Sequence, residues 1–270
     1  MRFNKSFLAV ILFLGFISCE EVVDIDLEES EPKLVVEASI VWIKGTDGNR
    51  QEIRLSTTSP FYEEELRPVA TASIVVTSEN GSTYEFTHEQ NGIYINEDFQ
   101  PVLDLEYELE LIYNNQVYTA TESFKSVSGI DYVEQLDGGG FAGDEIEIKA
   151  FYTDPADQDN YYLFKFTDED VFLELYEDEF TNGNQIFGYF SNEDIEAGDV
   201  ISIQMEGISR EYYGYMFVLR SQVGTNQGGP FETMPAVVRG NIVNETNRDN
   251  FPFGYFRLSE ADSITYSVER

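Results

Sequence analysis

Residues 106–125 read EYELELIYNNQVYTATESFK. Tyr107, Leu109, Leu111 and Tyr113 alternate with Glu106, Glu108 and Glu110. An extended chain places successive side chains on opposite faces, so one face here is apolar and the other carries carboxylates. Asn114-Asn115 marks a tight turn, because asparagine tolerates positive φ. Val117 to Phe124 then returns as a second strand. A lone hairpin of this kind is marginal in water and needs further strands to cover its apolar face.

Those strands lie on both sides. Toward the N-terminus, Leu34, Val36, Ala38, Ile40 and Trp42 share one face, followed by Ile53 and Leu55. Ala72, Ile74 and Val76 alternate, Asn80-Gly81 signals a hairpin, and Tyr84, Phe86 and His88 return before a brief run at Gly92–Ile95. About seven short strands in roughly ninety residues predict an immunoglobulin-like β-sandwich over 34–126. Ser126 to Gly129 reads as a junction. Beyond it, a second β-rich domain is expected over 127–270. Its strands are expected near Tyr132–Leu136, Ile146–Tyr152, Tyr162–Phe166, Val171–Tyr176, Ile186–Phe190, Val200–Met205, Val237–Val243, Phe253–Leu258 and Ile264–Val268. From Ser209 to Gly224 the period changes: Tyr212, Tyr213, Met216, Leu219 and Val223 fall at helical spacing. Ser209 is suited to cap the start and Gly224 the end. One amphipathic helix packed on a sheet is expected there.

The first residues carry an address. Arg2 and Lys5 precede the apolar run Phe7–Phe16, which is short for a membrane span. Ser18-Cys19 follows, and a small residue before cysteine at this place resembles a bacterial lipobox. On that reading residues 1–18 are a lipoprotein signal peptide, Cys19 is lipidated, and 19–33 is an acidic tether. Cys19 is the single cysteine, whereas a disulfide-stabilised secreted protein carries an even set. More than one acyl chain gives stable anchoring, at about 0.8 kcal/mol per buried methylene.

Composition narrows the function classes. With 51 acidic and 16 basic residues the formal charge is −35. Nucleic acid and anionic surfaces repel such a body, so nucleic-acid binding is not expected. Abundant tyrosine (17) and phenylalanine (21) suit strands and supply packed cores.

Few residues suggest chemistry. The single histidine, His88, sits in a strand beside Tyr84 and Phe86 and reads as structural. One histidine and one cysteine cannot furnish a tetrahedral zinc set. Gly138-Gly139-Gly140 lacks the lysine and helix of a phosphate loop. Asp154, Asp157 and Asp159 are close enough in sequence to suit a hard cation such as calcium, although the spacing is not that of an EF-hand and aspartates also favour turns. No other cofactor is suggested. Tyr161, Tyr189, Phe190, Tyr212 and Tyr213 are candidates for stacking on sugars, with cores and sheet faces the plainer account. Paired carboxylates would serve a glycosidase, but no pair stands out among so many.

Longer matches add a resemblance. Cys-Glu-Glu-Val-Val-Asp-Ile-Asp-Leu at 19–27 and Pro-Lys-Leu-Val-Val-Glu at 32–37 come first. Asp-Pro with Asn-Tyr-Tyr-Leu-Phe follows between 154 and 164. Pro-Ala-Val-Val-Arg-Gly-Asn-Ile at 235–242 and Gly-Tyr-Phe at 254–256 complete the set. In this order they resemble a family of Bacteroidetes lipoproteins designated as a domain of unknown function, typically encoded beside TonB-dependent outer-membrane receptors. Residues 34–124 also resemble carboxypeptidase-regulatory-like or transthyretin-like sandwiches. The resemblance implies an outer-membrane lipoprotein, facing the cell surface or the periplasm. It implies a non-catalytic accessory of a TonB-dependent receptor, with its ligand unspecified. The acidic residues after Cys19 resemble the surface-export signal of such lipoproteins. The competing expectation is a surface hydrolase of glycans or peptides. Long loops on a rigid sheet favour recognition, which points to 137–144 and 225–235 for a partner or ligand.

Overall fold

A computed structural model describes residues 31–60, 67–139, 143, 145–156, 158–179, 181–223 and 237–270. Pro32–Arg270 forms one compact unit. The signal peptide, Cys19, most of the tether, Asp157, Gly224 and the 225–235 connection lie outside the described residues.

The elements in chain order begin with β1 (Leu34–Ile43), β2 (Gln51–Thr57), β3 (Arg67–Pro68), β4 (Ser73–Ser78), β5 (Thr83–Gln90) and β6 (Ile93–Asn96). Next come β7 (Glu106–Tyr113), β8 (Gln116–Lys125), β9 (Ile130–Gly139), β10 (Glu145–Thr153), β11 (Tyr161–Thr167) and β12 (Val171–Glu177). The chain finishes with β13 (Gln185–Asn192), β14 (Val200–Ile208), α1 (Arg210–Val223), β15 (Val243–Asn244) and β16 (Phe253–Ser267). Among the described residues the protein is mostly β with one helix.

The expected sandwich over 34–126 is instead most of a closed barrel. Neighbours run β1-β2-β6-β5-β4-β7-β8. β16 completes the ring, parallel to β1 from Val35↔Phe253 to Ile43↔Ala261 and parallel to β8 at Leu258↔Phe124 and Ser259↔Lys125. Seven strands left open would present two unpaired edges, and one strand from the far end of the chain covers both. β16 is not recognisable by alternation because it is covered on both faces: Tyr255 to Ala261 are buried without interruption. For the same reason the two strands expected at 253–258 and 264–268 are one. β1, β8 and β16 all start at the same end of the barrel, called here the entry end.

Alternation elsewhere behaves as the sequence predicts. Val36, Ala38 and Ile40 face the barrel interior with Leu109, Leu111, Phe256 and Leu258. A chain of rings, Tyr84–Phe99–Tyr107–Phe124, fills its middle with centroid spacings of 4.4, 5.7 and 6.0 Å. Asn114 and Asn115 both have positive φ, 48° and 60°, as the β7–β8 turn demands. At Asn80-Gly81 only the glycine does, and Asn80 instead accepts the Ser82 amide on its side chain.

A second core begins where the first ends, at Val127. β16 runs on past the barrel and pairs with β14, which pairs with β11, and β11 with β12. A separate sheet, β13-β10-β9, covers one face of these strands. Tyr162, Phe164 and Phe166 of β11 point toward it, with Ile148, Ala150 and Tyr152 of β10. The alternate residues, Leu163 among them, join Tyr212 and Met216 of α1 on the other face. The expected helix is therefore present and packs on a sheet. The strand expected at 237–243 shrinks to Val243–Asn244, paired with β8.

Candidate functional site

A groove of roughly 500 Å³ opens between α1 and the unpaired segment 237–241. Tyr215 and Val218 of α1 line it, together with Val237, Val238 and Tyr255 of β16. Glu211 and Arg239 supply its charges. The three tyrosines behind it pack edge to face and offset: Tyr215–Tyr255 at 5.0 Å, Tyr212–Tyr255 at 4.9 Å and Tyr212–Tyr215 at 6.0 Å. Burial raises the hydroxyl pKa of both Tyr255 and Tyr212 above the ordinary value, so both are neutral donors.

Gly240 lets segment 237–241 lie this close to β16, and Gly254 lets β16 in turn lie against β1. A Cβ on Gly240 would stand 1.7 Å from the Gly254 carbonyl oxygen. One on Gly254 would stand 1.9 Å from the Val36 carbonyl oxygen, and Gly254 has a φ of 95°. Asn241 then fastens the segment without a strand ladder. Its amide donates to the Phe256 carbonyl at 2.8 Å and its oxygen accepts the Phe256 amide at 2.9 Å. The helix wall is set by its cap: Ser209 Oγ accepts the Tyr212 amide at 3.2 Å and donates to Glu122 at 2.8 Å. Burial raises the Glu122 carboxyl, with the Ser209 bond acting in the opposite direction.

Beneath the groove lies a buried ion cluster. Arg257 pairs through Nη1 with Glu206, whose side chain is 0% exposed. The same guanidinium donates to Ser259 at 2.8 Å and Ser39 at 3.1 Å and lies 4.9 Å from the Tyr212 ring centre. Glu206 also meets Lys165 at 2.6 Å and Gln204 at 2.7 Å. Burial alone would raise the Glu206 carboxyl, but the Arg257 and Lys165 charges outweigh it and hold it below its usual value. For Arg257 burial works downward and the Glu206 charge outweighs it, so the guanidinium is held firmly protonated. With every charge partnered, the cluster acts as a rigid floor.

A second recess, of about 340 Å³, lies between the β11–β12 turn and the segment after β13. Asp168, Glu169, Asp170, Asp194, Glu196 and Asp199 line it with Phe172 and Asn192. Some of this polarity is spent locally: Asp199 accepts the Glu196 amide at 2.7 Å. Among the described residues no set of three or more His, Cys, Asp or Glu is arranged to hold a metal ion.

The residues singled out by sequence fall as follows. Asp154 is buried, accepting the Tyr162 hydroxyl at 2.5 Å and the Gly183 amide at 3.1 Å. Its oxygens hold a turn together. Asp159 is exposed, and Asp157 lies outside the described residues. His88 is half-buried against Tyr94, with ring centres 5.1 Å apart. Among the aromatics, Tyr161 and Tyr213 meet at 5.2 Å beside α1, whereas Tyr189 and Phe190 belong to β13 on the other sheet. The groove was missed because its halves are separated in sequence. Gly240, Asn241 and Gly254 were the available signal: two glycines and an asparagine that the expected strands do not need.

Fold and groove together define a mostly β protein with a concave aromatic recess beside α1. The chain belongs to the family described as Domain of unknown function (DUF4249), whose model matches residues 20–265. A comparison with curated proteins finds no match. Among solved structures, a two fibronectin type-III domain segment from chicken tenascin is 12% identical. The alignment covers 67% of this chain and 89% of that one. Its TM-score is 0.20, too low to support a shared architecture.

Proposed function

We propose that this protein is a lipid-anchored lipoprotein of the Bacteroidetes outer membrane. In this reading it is non-catalytic and serves a TonB-dependent transport system as an accessory that binds the receptor or presents ligand to it. The observation that carries the anchor is the apolar run Phe7–Phe16 ending in Ser18-Cys19, with no other cysteine in the chain. The receptor association rests on family resemblance, an analogy at the level of family. The groove between α1 and segment 237–241 supports a binding role, since concave aromatic sites with few polar groups suit ligands and peptides.

Two experiments test this. Cys19→Ala moves the protein to the soluble fraction, and persistence in membranes washed with high salt sinks the anchor. Tyr215→Ala with Val218→Asp leaves the protein anchored and depletes a TonB-dependent receptor from native-membrane co-purification. Unchanged recovery removes the groove from the reading. A surface hydrolase of glycans or peptides is the competing function, and the acidic recess at Asp168–Asp170 and Asp194–Asp199 is where it would place its carboxylates. Turnover of a polysaccharide or peptide, abolished by one Asp or Glu substitution there, would replace the accessory reading with the enzyme.

A further inference from the structure

The charges of the barrel are distributed unevenly between its two ends. At the entry end, Lys33 Nζ stands 4.1 Å and Arg239 Cζ 3.7 Å from the centre of the Phe251 ring. Phe253 meets Phe251 edge-on at 5.5 Å, and Val237 is 63% exposed nearby in sequence to Arg239. Arg248 is on the loop that leads into this cluster, paired with Glu245 at 3.5 Å. The opposite end, where β1, β8 and the barrel part of β16 finish, displays exposed Asp47, Glu79, Glu97, Asp98 and Asp104 with Arg50 as counter-charge to Glu97, whereas the cations of the entry end face exposed Glu89, Glu245 and Asp249. In a chain of net charge −35, gathering cations on aromatic rings at one end is a marked asymmetry.

We propose that the entry end is the membrane-proximal face of the protein, and that Lys33, Arg239, Phe251 and Phe253 lie at the lipid headgroups of the leaflet holding the anchor. The proposal rests on the lipid-anchor reading for its biological setting. Three observations support it. The described chain starts at this end, with Lys33 bonded to Thr58 just before β1. Thirteen intervening residues, 20–32, would span at most about 45 Å, so the tether keeps the body near the bilayer without fixing its orientation. Charge then decides: an anionic surface repels the acidic end more strongly than the end that carries Lys33, Arg239 and Arg248, so a tethered body turns that end toward it. Arginine, lysine and aromatic rings combine an apolar body with a polar tip, which suits the headgroup layer. The second core, built on the part of β16 beyond the barrel, is thereby held away from the bilayer.

The test tethers the body artificially, so that it does not depend on acylation. The chain from residue 19 with Cys19→Ala and an N-terminal hexahistidine tag is bound to phosphatidylcholine vesicles. These contain a nickel-chelating lipid, with or without phosphatidylglycerol. Asp249→Cys at the entry end and Ser82→Cys at the opposite end each carry an environment-sensitive fluorophore, and a headgroup nitroxide lipid serves as quencher. On phosphatidylglycerol vesicles the probe at 249 is quenched several-fold more than the probe at 82. Lys33→Glu with Arg239→Glu lowers the ratio of entry-end-down to other orientations by about tenfold or more. Equal quenching of the two probes in the unreversed protein, or stronger quenching at 82, overturns the proposal without any reliance on the reversed variant. A difference that survives charge reversal, or that persists without phosphatidylglycerol, assigns orientation to the tether and overturns the role of Lys33 and Arg239. Failure of Cys19→Ala to leave the membrane in cells would sink the anchor while leaving this vesicle result standing.

Discussion

Replacing Arg257 by methionine tests whether the buried cluster holds helix, barrel and second core together. Arg257 is 5% exposed in its side chain and Glu206 0%, so removing the guanidinium leaves a carboxylate that water cannot reach. Breaking a buried pair costs about 3–5 kcal/mol. Here Glu206 keeps Lys165 at 2.6 Å and Gln204 at 2.7 Å, which places the loss near 3 kcal/mol, the lower end of that range. For a unit of this size that corresponds to a fall in melting temperature of about 6–12 °C. Trp42, the single tryptophan and part of β1, reports the barrel by fluorescence, and near-ultraviolet dichroism reports the buried tyrosines of both cores together. The double variant Arg257→Met/Glu206→Leu removes the stranded charge. Lys165, 29% exposed in its side chain, is left free to turn toward water. The double variant should therefore recover more than half of the loss, a coupling of about 2 kcal/mol between the two sites. A single variant within about 1 kcal/mol of the parent, or a double variant that merely adds two losses, refutes the cluster as a keystone.

Other outcomes follow from the same geometry. Glu206 is depressed in the folded state, so its contribution is present above the unfolded value and fades as pH falls through the folded one. Urea midpoints of the parent and Glu206→Gln should thus differ most at neutral pH and begin to converge below about pH 4.3, whereas a constant gap would contradict the assignment. Gly254→Ala places a Cβ 1.9 Å from the Val36 carbonyl oxygen at a φ of 95°, and should cost more than about 2 kcal/mol by thermal unfolding. A neutral substitution there would mean that β1 and β16 are not in this register. Asp154→Ala strands the Tyr162 hydroxyl and the Gly183 amide at about 1–3 kcal/mol each, and Tyr162→Phe in the same background should recover part of that loss.

Local chemistry was legible and distant pairing was not. The alternation at 106–125 specified a hairpin with its turn residues, and the spacing from Tyr212 to Met216 specified the helix, because both are encoded within a few neighbouring residues. The barrel was not legible, because Val35 and Phe253 are paired across the whole unit and nothing near either residue records it. Arg257 and Glu206 look like ordinary polar positions of two strands, and only the crossing of β14, β16 and α1 turns them into a sealed pair. Glu260 looks like a strand break, yet its carboxylate accepts the Val127 amide at 3.0 Å and faces Lys44 at 3.6 Å, which keeps β16 continuous.

A barrel whose closing strand, β16, follows its first by more than two hundred residues has a kinetic consequence. A polypeptide delivered N-terminus first exposes the free edges of β1 and β8 throughout its delivery, and no partial product can seal itself. Contacts between residues more than two hundred positions apart are slow to form because the loop they enclose is long. Maturation of this fold is therefore governed by the arrival of residues 253–267. Until then the nascent chain depends on whatever shields open strands in its compartment, and a chain truncated before that segment remains a substrate for such factors or for proteolysis.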